Sequence, residues 1–244
     1  VQTTVQDIAG NPLIAARGHA RNYISGYTRF NRTLPLVSIN TDNTLCGLEN
    51  WFTNLSGAGT EVSQFAWLGV QAFYISTGTT STGRCAIIST QYANIFDPSR
   101  SWETIVSLGV SAQPSVEAYT AQVGYIKGLP GLATDGMYFQ LSAASANWRA
   151  IVRDDGVETN TDTTVSGGSA IVGRIFYDAD ALATKFYING ALVATVPNAT
   201  SVIDTGDSLQ MAYSIIKSAG TTSISIATQG HYYKNEEATL PAGW

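Results

Sequence analysis

The sequence predicts an all-β protein, an antiparallel two-sheet jelly-roll sandwich preceded by an extended N-terminal arm, and three observations carry that expectation. From residue 115 onward, short apolar runs recur with turn residues at the spacing of about 8–12 residues that marks sandwiches and barrels. Eight such runs follow one another, the number a jelly roll needs. Within "KFYINGALVAT", Asn189-Gly190 places two residues that tolerate positive φ between β-favouring segments, the signature of a two-residue hairpin. The composition agrees: 23 glycines, 44% hydrophobic and 13% charged residues, with Ser, Thr, Asn and Gln supplying most of the polarity. That mixture suits strands and turns better than long helices.

Taken in order, residues 1–44 read as the arm. Gly10, Pro12, Gly18, Gly26 and Pro35 interrupt any long helix or strand. Ile8, Leu13, Ile14, Tyr23, Ile24, Tyr27 and Phe30 are too many apolar residues for a disordered tail, so something has to cover them, either the chain's own core or a neighbouring subunit. The first forty residues also set Arg17, Arg21, Arg29 and Arg32 against the single carboxylate Asp7, a net of +3 in a chain of net charge −5. Four spaced arginines lack the density of a nucleic-acid-binding run, and docking onto an acidic neighbour is the better use for them. Arg17, Arg21, Tyr23, Tyr27, Arg29 and Phe30 are therefore the expected assembly contacts. Copies of the chain are the expected partners, exchanging arms in a closed oligomer, most simply a trimer.

The sandwich is expected over residues 45–230. "SQFAWLGVQAFYIST" (63–77) is a long apolar run, and "GRCAIIST" (83–90) follows it through the loop "TGTTSTG", so two strands meeting through that loop are expected. "FDPSRSW" (96–102) reads as a turn-like connection because Asp97-Pro98 disfavours helix. The eight runs are then "SVEAYTAQVGYIKG", "DGMYFQLSA", "NWRAIVRDDG", "AIVGRIFYDAD", "TKFYING", "ALVATVP", "SLQMAYSIIKS" and "SISIATQ". With a two-residue turn, Ile188 faces Ala191, Tyr187 faces Leu192 and Phe186 faces Val193, placing Phe186, Ile188 and Val193 on one buried face. Residues 231–244 are expected to be a C-terminal extension. The start "VQTTVQDIAG" has no signal-peptide character and no apolar run approaches about 18 residues, so no membrane partner is expected.

An ordered set of features, "GMYFQL", "NWRAIVRDDG", "TDTTVSGG", "RIFYD", "KFYINGALVATVP" and "MAYSIIKSAGTTSISI", resembles the concanavalin A-like or laminin G-like jelly-roll domain of tailed-bacteriophage virion proteins over about residues 115–228. Ile175-Phe176 stands where relatives commonly begin a strand with Trp, and the last strand ends "ATQGHYY". The resemblance implies a structural virion protein, localised to the surface of the phage particle as a capsid decoration, head fibre or tail component, with other virion proteins as partners. A glycan-binding receptor module is the alternative, and a polysaccharide-degrading enzyme on the same fold comes third. Fold alone does not choose among them.

For an enzyme, paired carboxylates or a His/Tyr/Arg set would have to meet on one sheet face. No E-x-D-x-x-E strand occurs, and His19 and His231 accompany no nucleophile elbow, so no catalytic residues are expected. Asp154, Asp155, Glu158 and Asp162 cluster around Gly156, where solvated loop carboxylates are the ordinary reading and a calcium or sugar-hydroxyl ligand the sharper one. Tyr138 and Trp148 are either core or sugar-stacking rings. Tyr138, Trp148, Asp154 and Asp155 are thus the candidate glycan-binding residues, and a host surface glycan the candidate ligand. Cys46 and Cys85, with no CxxC, support no zinc site; buried thiols or a disulfide between them both remain open. No cofactor is expected.

Overall fold

In the computed structural model, residues 23–29, 51–57, 60–67, 70–89, 94–95, 98–99, 101–111, 117–129, 132–197, 203 and 207–236 are described. They form strands and connections with no helix among them. In chain order the strands are β1 (Tyr23–Arg29), β2 (Trp51–Ser56), β3 (Glu61–Trp67), β4 (Val70–Ser76), β5 (Arg84–Ser89), β6 (Asn94–Ile95), β7 (Trp102–Val110) and β8 (Tyr119–Lys127). They continue as β9 (Asp135–Ser142), β10 (Ser145–Asp154), β11 (Val157–Ser166), β12 (Ile171–Asp178), β13 (Ala183–Ile188), β14 (Ala191–Pro197), β15 (Ser208–Lys217) and β16 (Ser225–Glu236). The first sheet runs β14-β13-β12-β7-β16-β4-β3, with β1 also on β16. The second runs β11-β10-β9-β8-β15-β5-β2, with β6 on β15. Every pairing is antiparallel, as the sandwich expectation requires.

Period-two alternation builds the core. β7 alternates buried and half-buried residues along its whole length, sending Trp102, Thr104, Val106, Leu108 and Val110 inward. Opposite them, Tyr125, Met137, Phe139, Leu141, Trp148, Met211 and Tyr213 of the second sheet complete one apolar layer. Two edge-to-face ring pairs cross it: Trp102 with Tyr125 at 5.7 Å and Phe139 with Phe186 at 5.4 Å, each adding about 0.5–1.5 kcal/mol beyond burial.

Several expectations change in detail. Residues 63–77 are two strands, because β3 and β4 form a hairpin with Trp67 opposite Val70, and Gly69 lies between them in sequence. β4 and β5 meet through the loop 77–83 as expected, and because they belong to different sheets that loop crosses between the layers. Trp102 opens a nine-residue strand where a turn-like connection was expected. The Asn189-Gly190 turn is present with φ of +51° and +85°, and Ile188 pairs Ala191 and Tyr187 pairs Leu192 as expected. A bulge then inserts Val193, so Phe186 pairs with Ala194. Phe186, Ile188, Ala194 and Val196 are the buried members, and Val193 is only partly buried against them.

β16 continues through residues 231–236, into the segment expected to be an extension. Its first part pairs with β4 and its later part with β1, so residues 23–29 add a strand to this chain's own sheet. Of the expected assembly contacts, Tyr23, Tyr27 and Arg29 lie in β1, while Arg17, Arg21 and Phe30 lie outside the described residues, as does Cys46. Cys85 is a free buried thiol.

The segment "IKSAGTT" earns its place by joining the layers. Lys217, 2% exposed, donates from Nζ to the carbonyls of Gly78 (3.2 Å) and Thr222 (2.8 Å), and Thr77 exchanges hydrogen bonds with Ile224. Gly220 has φ +91°, so the backbone there favours glycine, and a Cβ would displace the Glu117 carboxylate.

Candidate functional site: the outer face of the second sheet

Registers across the second sheet align one row of outward positions, Asn54, Ala86, Ser214, Gln122, Gln140, Arg149 and Asp162, and beside it a second, Ile88, Ala212, Gly124, Tyr138, Ile151 and Asn160. A further step brings Arg153 opposite Glu158. The middle of this face is closed. Ala86, Ile88, Ile126, Ala133, Tyr138, Ile151 and Ala212 form a second apolar cluster, against which Leu129 packs. Part of the cover is the β8–β9 loop: the Ala133 N–H donates to Gln122 Oε1 (3.2 Å), and its carbonyl accepts from Arg153 Nη1 (2.8 Å). Gln122 also donates to Gln140 at 3.0 Å, so the buried amides satisfy one another.

Toward β10 and β11 the face opens. Arg149, Arg153 and Glu158 are half-buried and Asn160 and Asp162 exposed. Glu158 is shared, its Oε1 3.4 Å from Arg149 Nη2 and its Oε2 3.3 Å from Arg153 Nη2, while Asn160 Nδ2 donates to Oε1 at 3.0 Å. Asp162 accepts from Asn147 Nδ2 (3.1 Å) and the Thr164 N–H (2.7 Å). These last contacts fold "TDTT" into a bulge: β11 spends extra residues between Asp162 and Ser166, Thr164 adopts φ +60°, and Thr163 Oγ1 donates to the Trp148 carbonyl at 2.6 Å.

The four sequence candidates separate. Tyr138 lies on the outer face and Trp148 on the inner, so the two rings do not form one platform. Both are 0% exposed; Trp148 is a core residue, because along β10 it alternates inward with Ala150 and Val152 while Arg149, Ile151 and Arg153 face outward. Burial pushes the Tyr138 phenol up, against the pull of neighbouring Arg153. Asp154 and Asp155 close the β10–β11 turn with Gly156, away from the polar rows. The Asp155 N–H donates to Asp135 Oδ1 at 2.6 Å. Asp135, Asp154 and Asp207 bring carboxylate oxygens within 4.8 Å of one another, a spacing that suits a cation, and Lys127 Nζ bonds both Asp207 and Asp135. Burial raises the Asp135 carboxyl, but hydrogen bonds from Thr134, the Asp155 N–H and Lys127 outweigh it and hold the group below its ordinary value. Residues 157–166, expected as loop, are a strand. Arg149, Arg153 and Asn160 are the functional candidates the sequence reading missed. The spacing of four between the arginines puts both on one strand face, and Asp155-Gly156 is a two-residue turn signal that pairs Arg153 with Glu158.

Solved structures share this architecture. A protein of unknown function from Shewanella oneidensis MR-1 matches with a TM-score of 0.59 at 12% identity over 89% of this chain and 90% of that chain. The endo-β-1,4-glucuronan lyase of the fungus Trichoderma reesei matches at 0.55 and 12% over 79% and 92%. The chain has a jelly-roll sandwich fold. Botulinum neurotoxin type C, whose cell entry depends on two ganglioside molecules, matches at 0.50 and 12%, with 75% of this chain spanning 43% of the toxin chain. At such identities the likeness is one of fold. No family model and no curated protein matches the chain.

Proposed function

We propose that this chain is a structural virion protein of a tailed bacteriophage displaying a glycan-binding jelly roll, with the β10–β11 flank of the second sheet as its sugar-contacting surface. The observation that carries the binding part is the convergence of Asn147, Arg149, Arg153, Glu158, Asn160 and Asp162 on one open flank. Planar amide, guanidinium and carboxylate groups offer the paired donors and acceptors that vicinal sugar hydroxyls match. Binding is favoured over cleavage, because Glu158 is committed to two arginines and an amide and Tyr138 is held protonated by burial. Placement on a virion rests on the ordered sequence features over residues 115–228, and supports from neighbouring copies follow from the basic arm.

A glycan array with the full chain, repeated with Asn160→Ala, tests the binding part: retention of specific glycans by the parent and their loss from the variant are expected. Release of reducing ends or unsaturated products from a bound polysaccharide would overturn binding without cleavage. Mass spectrometry of purified particles tests the carriage; absence of the chain from them would overturn it.

A further inference from the structure

The polar flank holds two guanidinium groups whose shared carboxylate grips neither of them closely. Arg149 and Arg153 place two guanidinium groups about one carboxylate, Glu158, which each touches through a single nitrogen at 3.4 and 3.3 Å. Bidentate arginine-carboxylate pairs are shorter, about 2.7–2.9 Å, and use two donors per guanidinium. Arg153 spends Nη1 on the Ala133 carbonyl, but its Nε–H is buried without an acceptor. Asp162 stands opposite Arg149 in register, yet turns its carboxylate to Asn147 and the Thr164 N–H. Two loosely paired guanidinium groups thus share a half-open face, and the second carboxylate beside them is turned to neutral donors.

We infer that this face binds sugars bearing a carboxylate, uronates or sialates, whose carboxylate is received by Arg149 and Arg153 alongside Glu158. The inference rests on the glycan-binding reading and narrows it. Glu158 is then a built-in counter-ion that holds the two guanidinium groups apart when no ligand is present, and Asn160 positions it.

The test uses the full chain and two matched probe pairs: oligoglucuronate against the neutral cello-oligosaccharide of the same linkage, and sialyllactose against lactose. Calorimetry should show at least one acidic probe binding about tenfold or more tighter than its neutral partner, the scale of one charge-assisted contact; the pair that responds tells uronate from sialate. Arg149→Gln should abolish that preference, weakening the acidic probe about tenfold more than its neutral partner. Rising ionic strength should weaken the acidic probe alone, a measurement on the parent protein that needs no variant to fold. Equal binding of acidic and neutral probes, or a preference that survives Arg149→Gln, would overturn the carboxylate inference and leave glycan binding standing. A chain that binds no probe here and nothing on the array would overturn both.

Discussion

Lys217→Met removes the ammonium that joins the layers while keeping a long unbranched side chain in its place. In the parent, Nζ serves two carbonyls: Gly78, which is buried, and Thr222, which is partly so. A hydrogen bond to a charged group contributes about 1.5–3 kcal/mol, and an acceptor abandoned in the interior costs about 1–3 kcal/mol. The Thr222 carbonyl regains some water, and the variant is relieved of desolvating a lysine, so the net loss is about 2–4 kcal/mol of a stability that domains hold at about 5–15 kcal/mol. With a urea dependence of about 2–3 kcal/mol per molar, the midpoint should fall by about 1–1.5 M with the slope unchanged. Equilibrium urea unfolding followed by tryptophan fluorescence reads this directly. A loss below about 0.5 kcal/mol would refute the assignment of Lys217 as the tie between β15 and the β4–β5 loop, since a surface lysine gives that result.

Other consequences are equally measurable. Gly190→Ala meets nothing within 4 Å and should cost only the left-handed backbone penalty of about 1–2 kcal/mol, whereas Gly173→Ala puts a methyl 2.8 Å from the Phe139 ring and should cost about 1–3 kcal/mol through overpacking, both read by urea unfolding. The Asp135 carboxyl is held below its ordinary value, so its contribution is present above about pH 4 and lost as pH falls through its folded value; Asp135→Asn should flatten the acid limb of a stability-pH profile. Burial pushes the Cys85 thiol up to about 12, so in a Cys46→Ser background a thiol reagent should titrate Cys85 only after denaturant is added.

Strand content was legible where turn chemistry was strong. Asn189-Gly190 located a hairpin to the residue, yet not the bulge at Val193, which lies beyond the turn and carries no turn signal of its own. Asp155-Gly156 carries the same turn signal, with φ of +46° and +79°, but the surrounding carboxylates mark the segment as loop and hide β11. Tyr138 and Trp148 looked like equal candidates, since both lie in strands with apolar residues on both faces, so the local pattern does not tell which parity points to the first sheet. The arginine pair was latent in "RAIVR", whose period places both on one face; its partner Glu158 emerges only once β11 is known to be a strand.

The place of β16 has a consequence for how the chain is made. It lies between β7 on one side and β4 and β1 on the other, and it is the last strand in sequence order. Until it leaves the ribosome, β7 and β4 each present an open edge, and the first sheet exists as two separate halves: the four strands β14-β13-β12-β7 and the β3-β4 hairpin. Local hairpins close early, but Tyr23 meets Glu236 only after every strand between them has been synthesised, so the first sheet completes late and slowly. A stalled or truncated nascent chain lacking β16 would therefore be the aggregation-prone species, a hazard that chaperones, not the finished sandwich, have to manage.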